Sequence, residues 1–102
     1  MIKLALFARL EAKPGKEADV AAFLEAGLAM ARAEATTPIW FALRLSPTTF
    51  GVFDAFHNED GRQRHLSGPI AQALMAKAPE LFASPPTIDQ IEVLGLKNDG
   101  SA

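Results

Sequence analysis

Apolar residues recur with period two in four stretches of this chain and with a helical period in the segments between them. Residues 2–12 place Ile2, Leu4, Leu6, Ala8 and Leu10 on one face and Lys3, Ala5, Phe7, Arg9 and Glu11 on the other, the pattern of a strand. Lys13, Pro14 and Gly15 break it. From about 16 to 35, Val20, Phe23, Leu24, Gly27, Leu28 and Ala31 form one stripe at helical spacing, and Glu17 and Asp19 suit the positive end of the helix dipole. Thr36, Thr37 and Pro38 end that helix, because the residue before a proline disfavours the helical region. Residues 39–45 and 50–56 read as a second and a third strand, and the short turn between them makes an antiparallel hairpin. A helical turn runs from His57 to about Leu66, Ser67-Gly68-Pro69 punctuates it, and Pro69 opens a further helix that Pro79 is expected to kink or stop. Residues 87–94 form a fourth, more polar strand, and 97–102 is expected to be a frayed tail.

The order β-α-β-β-α-β defines an α+β chain of the ferredoxin-like kind, one antiparallel sheet carrying its helices on a single face. At 102 residues it is one domain, spanning 1–96 with a flexible tail at 97–102. In the second strand Ile39, Phe41, Leu43 and Leu45 fill one face while Trp40 and Ala42 fill the other. In the third, Phe53 and Ala55 oppose Phe50, Val52 and Phe56. A half-exposed sheet shows polar residues on its wet face, so apolar residues on both faces imply that both are covered. The helices cover one, and a second copy of the same sheet is the simplest cover for the other. The expectation is therefore a homodimer whose paired sheets make a dimeric α+β barrel.

Ten Lys and Arg against twelve Asp and Glu, scattered along the chain, leave no basic patch for nucleic acid. The absence of cysteine excludes a disulfide framework, thiolate metal ligands and a cysteine nucleophile, and is compatible with a cytoplasmic location. Lys3, Arg9, Glu11 and Lys13 interrupt the apolar N-terminal run before a secretory leader or membrane span accumulates, so no membrane association is expected.

None of the common nucleotide, metalloprotease or hydrolase motifs occurs. The only histidines, His57 and His65, are eight positions apart, whereas two ligands on one helix face need three or four, so no metal site is expected. With no Tyr and no Cys, the remaining proton-transfer candidates are these histidines, the carboxylates and, behind them, the lysines. Asp54, in mid-strand, is either a cross-strand salt-bridge partner of Arg44 or a polar handle inside an apolar cavity. His57 is either a cap for the following helix or a pocket group. His65, just before the bend at 66–69, is either a packed histidine or a base facing the sheet, and Trp40 is a core anchor or a pocket wall.

These residues resemble the antibiotic biosynthesis monooxygenase family of dimeric α+β barrels over roughly residues 2–95. The resemblance rests on Arg9 through Glu17 after the first strand, on Phe50 through Phe56, and on His65-Leu66-Ser67-Gly68-Pro69 with its following helix. It implies an oxygenase acting on a small aromatic or quinol-like compound with no cofactor, the substrate itself supplying electrons to oxygen. His65 occupies the family's frequent histidine before the bend and is the implied catalytic base. Asp54 stands where relatives often have an acidic residue, while Phe56 replaces a common tryptophan. Trp40, Arg44, Asp54 and His57 are the implied substrate-binding groups, and Arg62 and Arg64 are either solvated or draw an anionic substrate to the cavity mouth. The haem-degrading branch is disfavoured because Ala8 stands in place of its asparagine and Trp40 lies in the wrong element. Two other readings are a non-catalytic dimer that binds a small hydrophobic molecule, and an isomerase of a small metabolite, which needs more than one charged group in the cavity.

Overall fold

The structure, a computed structural model, describes residues 1–98. Its elements are β1 (Leu4–Glu11), α1 (Glu17–Arg32), β2 (Ile39–Arg44), β3 (Thr49–Phe56), α2 (Glu59–Leu66), α3 (Pro69–Leu81) and β4 (Thr87–Glu92). The four strands form one antiparallel sheet in the order β2-β3-β1-β4. This is the ferredoxin-like α+β arrangement, with the second helix divided at Ser67-Gly68. Among the described residues no helix is long and apolar enough to cross a membrane.

Strand alternation decides what each face carries. The register places Leu4, Leu6, Ala8 and Leu10 of β1 opposite Phe56, Asp54, Val52 and Phe50 of β3. Trp40, Ala42 and Arg44 of β2 pair in turn with Asp54, Val52 and Phe50. These residues face the helices, and Leu10, Phe50 and Val52 join Val20, Leu24, Leu74, Leu81 and Phe82 in one buried cluster. Each such side chain, fully buried, contributes about 1.5–3 kcal/mol. The opposite face holds Phe7, Ile39, Phe41, Leu43, Phe53 and Ile91, and among the described residues no helix covers it: Phe41 is 55% exposed.

Gly15, at φ +86°, makes the turn from β1 into α1, a conformation that costs side-chain-bearing residues about 1–2 kcal/mol. Helix α1 ends at Arg32 rather than near 35. Glu34 and Thr37 leave the helical path through turn hydrogen bonds from Glu34 N to Ala31 O and from Thr37 N to Glu34 O. Helix α3 runs through Pro79 to Leu81 rather than stopping there. The proline lies in the last turn, where only one backbone donor is lost, and Phe82 N still reaches Ala78 O at 3.0 Å. Strand β4 ends at Glu92, two residues early. Of the expected tail, residues 99–102 lie outside the described residues.

Asn58, not His57, caps α2: its side chain accepts from Gly61 N at 2.9 Å. Arg62 is neither solvated nor at a cavity mouth. It is buried, bound twice to Glu59 at 2.8 and 2.9 Å, with Nη1 turned toward the carbonyls of Ala5 and Ile91. Arg64 is exposed and paired with Asp60 at 2.7 Å.

Candidate functional site

Between the helix-facing side of the sheet and the helices lies a cavity of about 120 Å³. Leu6, Ala8, Val52 and Ile88 floor it, Phe23, Gly27 and Met30 of α1 wall one side, and Leu66, Ile70 and Leu74 wall the other. Three polar side chains reach this apolar space, those of Trp40, Asp54 and His65. Trp40 packs close to α1 at Gly27, where a Cβ would stand 3.4 Å from the indole ring.

Asp54 is 2% exposed and His65 6%. His65 lies near the end of α2 because the Asn58 cap and the 67–68 break fix where that short helix starts and stops. Its ring packs against Phe56 with centroids 5.5 Å apart. Nε2 is 2.8 Å from Asp54 Oδ2, and Nδ1 is 2.7 Å from Glu34 Oε1. Thr37 Oγ1 donates to the same Glu34 oxygen at 2.8 Å. The imidazole is thus held between two carboxylates. Burial disfavours the imidazolium, yet the hydrogen bonds and charges of Asp54 and Glu34 outweigh it and raise the His65 pKa to about 8. Burial also pushes the Asp54 carboxyl above the ordinary aspartate value, against the opposing hydrogen bond and charge of His65.

Both ring nitrogens of His65 are thus already engaged by carboxylates, which favours the imidazolium at neutral pH and leaves no lone pair open to a substrate. Among the cavity-lining residues the unpartnered acceptor is Asp54 Oδ1, and Glu34 Oε2, on the far side of His65, is also buried without a partner. Trp40 Nε1 is likewise a buried donor without a partner. Trp40 and Asp54 are direct cross-strand neighbours, and both residues line the cavity. The ring nitrogens of His65 point to opposite sides, and among the described residues no group of three or more ligand side chains is placed to hold a metal ion.

The expected groups divide accordingly. His65, Asp54 and Trp40 converge on the cavity, whereas Arg44 and His57 do not. Arg44 pairs with Phe50, lies over its ring at 4.6 Å and donates to Pro47 O at 3.2 Å. A salt bridge from Arg44 to Asp54 is ruled out by the register, which separates them by four positions along the ladder. His57 is exposed and borders a different hollow, formed with residues 1–4 and 92–96. Glu34 is the site residue that sequence reasoning missed. A carboxylate just past a helix C-terminus, where the dipole disfavours negative charge, was the one available hint.

No family model and no curated protein matches the chain. Among solved structures, a protein of unknown function from Nitrosomonas europaea is 57% identical, with a TM-score of 0.95, over 99% of this chain and 98% of that one. A Caulobacter crescentus protein titled "putative antibiotic biosynthesis monooxygenase" is 18% identical, with a TM-score of 0.78, over 92% of each chain. A second Nitrosomonas europaea protein with the same title is 13% identical, with a TM-score of 0.79, over 90% of each chain.

Proposed function

The chain belongs to the same family as the Nitrosomonas europaea protein of unknown function and has the fold of the proteins titled antibiotic biosynthesis monooxygenases; from there we propose that it is a cofactor-independent monooxygenase acting on a small aromatic or quinol-like compound. The observation that carries this reading is an apolar cavity lined by Asp54 and Trp40, each of which has a buried polar atom, Oδ1 and Nε1, without a hydrogen-bond partner. A buried polar atom without a partner costs about 1–3 kcal/mol, and a substrate that satisfies both atoms recovers that cost.

Asp54, rather than His65, is the proton acceptor. Its raised pKa makes it a stronger base than an exposed aspartate, it lines the cavity, and its Oδ1 has no partner. His65 is a positioning residue: by binding Oδ2 it fixes the carboxylate and leaves Oδ1 unpartnered, and its charge steadies the carboxylate. The Trp40 N–H supports the substrate anion. For a hydroquinone, loss of the hydroxyl proton gives an electron-rich anion that reduces dioxygen. One oxygen atom becomes bonded to the ring and the other leaves as water, so hydroquinone plus O₂ yields hydroxyquinone plus water. The four electrons come from the ring, and the proton held by Asp54 is returned to the departing oxygen.

An isomerase of a polar metabolite is less well served, because the charges of Asp54 and His65 are directed at each other and every remaining wall is apolar. The uncovered sheet face supports a homodimer, with Phe7, Phe41 and Phe53 packing against the same face of a second copy.

Oxygen-electrode uptake with a panel of hydroquinones, catechols and anthrones tests the assignment. Asp54→Asn should lower uptake by at least about 100-fold, while His65→Gln should lower it less and shift its pH profile. Uptake by Asp54→Asn within about threefold of the parent would remove Asp54 as the base. No uptake with any compound that binds would favour the non-catalytic binding reading.

A further inference from the structure

The dimensions, polarity and charge of the cavity together specify a ligand more narrowly than its general aromatic character. We propose that it selects an uncharged single-ring compound whose one buried hydroxyl donates to Asp54 Oδ1 and accepts from Trp40 Nε1, a phenol in chemical class. This rests on the cavity being the substrate site and narrows what enters it.

Size comes first. A volume of about 120 Å³ is comparable to the roughly 150 Å³ of an engineered apolar cavity that accepts benzene. One ring fills it. A fused second or third ring exceeds that volume: turned inward it would have to displace Leu24 or Leu74, both buried in the core cluster, and turned outward it leaves apolar surface beyond the rim.

Polarity comes second. Asp54 Oδ1 accepts only, when ionised, and Trp40 Nε1 donates only. They are not hydrogen-bonded to each other, although their residues are paired across the β2–β3 ladder, where facing Cβ atoms are about 4.5–5.5 Å apart. A hydroxyl oxygen lodged between two such atoms makes both missing bonds at once. An ether or a halide makes one at most, and a hydrocarbon makes neither.

Charge comes third. With His65 held between the Asp54 and Glu34 carboxyl groups, its charge is already countered, and the cavity-lining partner is the Asp54 carboxylate. An aromatic acid would bring a second anion against it in an apolar enclosure, with no cation among the cavity-lining residues except the already paired His65. Aromatic carboxylates are excluded although they fit by size.

The chain has one tryptophan and no tyrosine, so indole fluorescence excited at its red edge reports on the cavity wall itself. Anaerobic titration calorimetry and Trp40 quenching of the full chain are measured with phenol, anisole, benzoate and 1-naphthol. Phenol should bind at least about tenfold more tightly than anisole, since a hydrogen bond to a charged group is at stake. 1-Naphthol should bind more weakly than phenol, and benzoate should not bind. Asp54→Asn should shrink the preference of phenol over anisole to within about threefold. Trp40→Phe, which keeps the wall and removes the donor, should weaken phenol about tenfold by calorimetry, and it stands in if Asp54→Asn does not fold. Anisole within about threefold of phenol in the parent protein, benzoate binding as well as phenol, 1-naphthol binding more tightly, or no phenol binding overturns the proposal. Phenol bound with this selectivity but without oxygen uptake by any phenol or quinol overturns the oxygenase reading and leaves this one standing; oxygen uptake without phenol binding does the reverse.

Discussion

Stability should depend on pH through His65. In the unfolded chain an unperturbed histidine titrates near 6.5, and in the fold His65 holds its proton up to about 8. At about 1.36 kcal/mol per pH unit, that difference amounts to roughly 2 kcal/mol. Because the folded value is the higher one, this stability is fully present below about pH 6.5 and is lost as pH rises through about 8. Asp54 acts in the same direction, since its carboxyl also binds a proton more tightly in the fold. Urea unfolding followed by Trp40 fluorescence at pH 6 and pH 9, at one protein concentration, checks this. With a slope of roughly 1–2 kcal/mol per M, the midpoint should fall by about 1–2 M between the two conditions. His65→Gln, which cannot titrate, should be less stable at pH 6 and should lose most of the difference. Equal midpoints at pH 6 and 9 in the parent, or the same drop in His65→Gln, would refute the claim that two carboxylates hold a buried imidazolium.

Two more predictions follow from packing. Light scattering should give about twice the 10.9 kDa chain mass, and Phe53→Lys, which puts a charge at the centre of the uncovered sheet face, should return it to the single-chain value; a monomeric parent would leave that apolar face unexplained. Gly61→Ala should destabilise by roughly 1–2 kcal/mol despite alanine's better helix propensity, because the new Cβ would sit 3.0 Å from the Thr36 carbonyl, a backbone atom that cannot swing away. The same substitution moves the turn that carries Glu34, so it should also lower the His65 pKa, measurable by NMR titration of the imidazole.

Much of this molecule is written locally. Period-two runs in 2–12 and 39–56 reveal strands and say which side chains share a face, and that was enough to expect apolar cover on both sides of the sheet. Ser67-Gly68-Pro69 marks the helix break by backbone chemistry alone. His65, Asp54 and Trp40 stand out because each is a polar or amphipathic side chain in an apolar setting. What local pattern does not carry is partnership. Alternation put Asp54 and Arg44 on adjacent strands but not at one level; the turn at 45–48 sets the register and pairs Asp54 with Trp40 and Arg44 with Phe50. Glu34 lies 31 positions from His65 and reaches it only because α1 stops at Arg32 and the chain turns back under α2. His65 reads as a free base in the sequence, and becomes a bound cation once both of its nitrogens are occupied. Strand and helix follow from the repeat of side chains along the backbone, whereas the charge and exposed atoms of the site depend on which distant groups the closed fold brings within 3 Å.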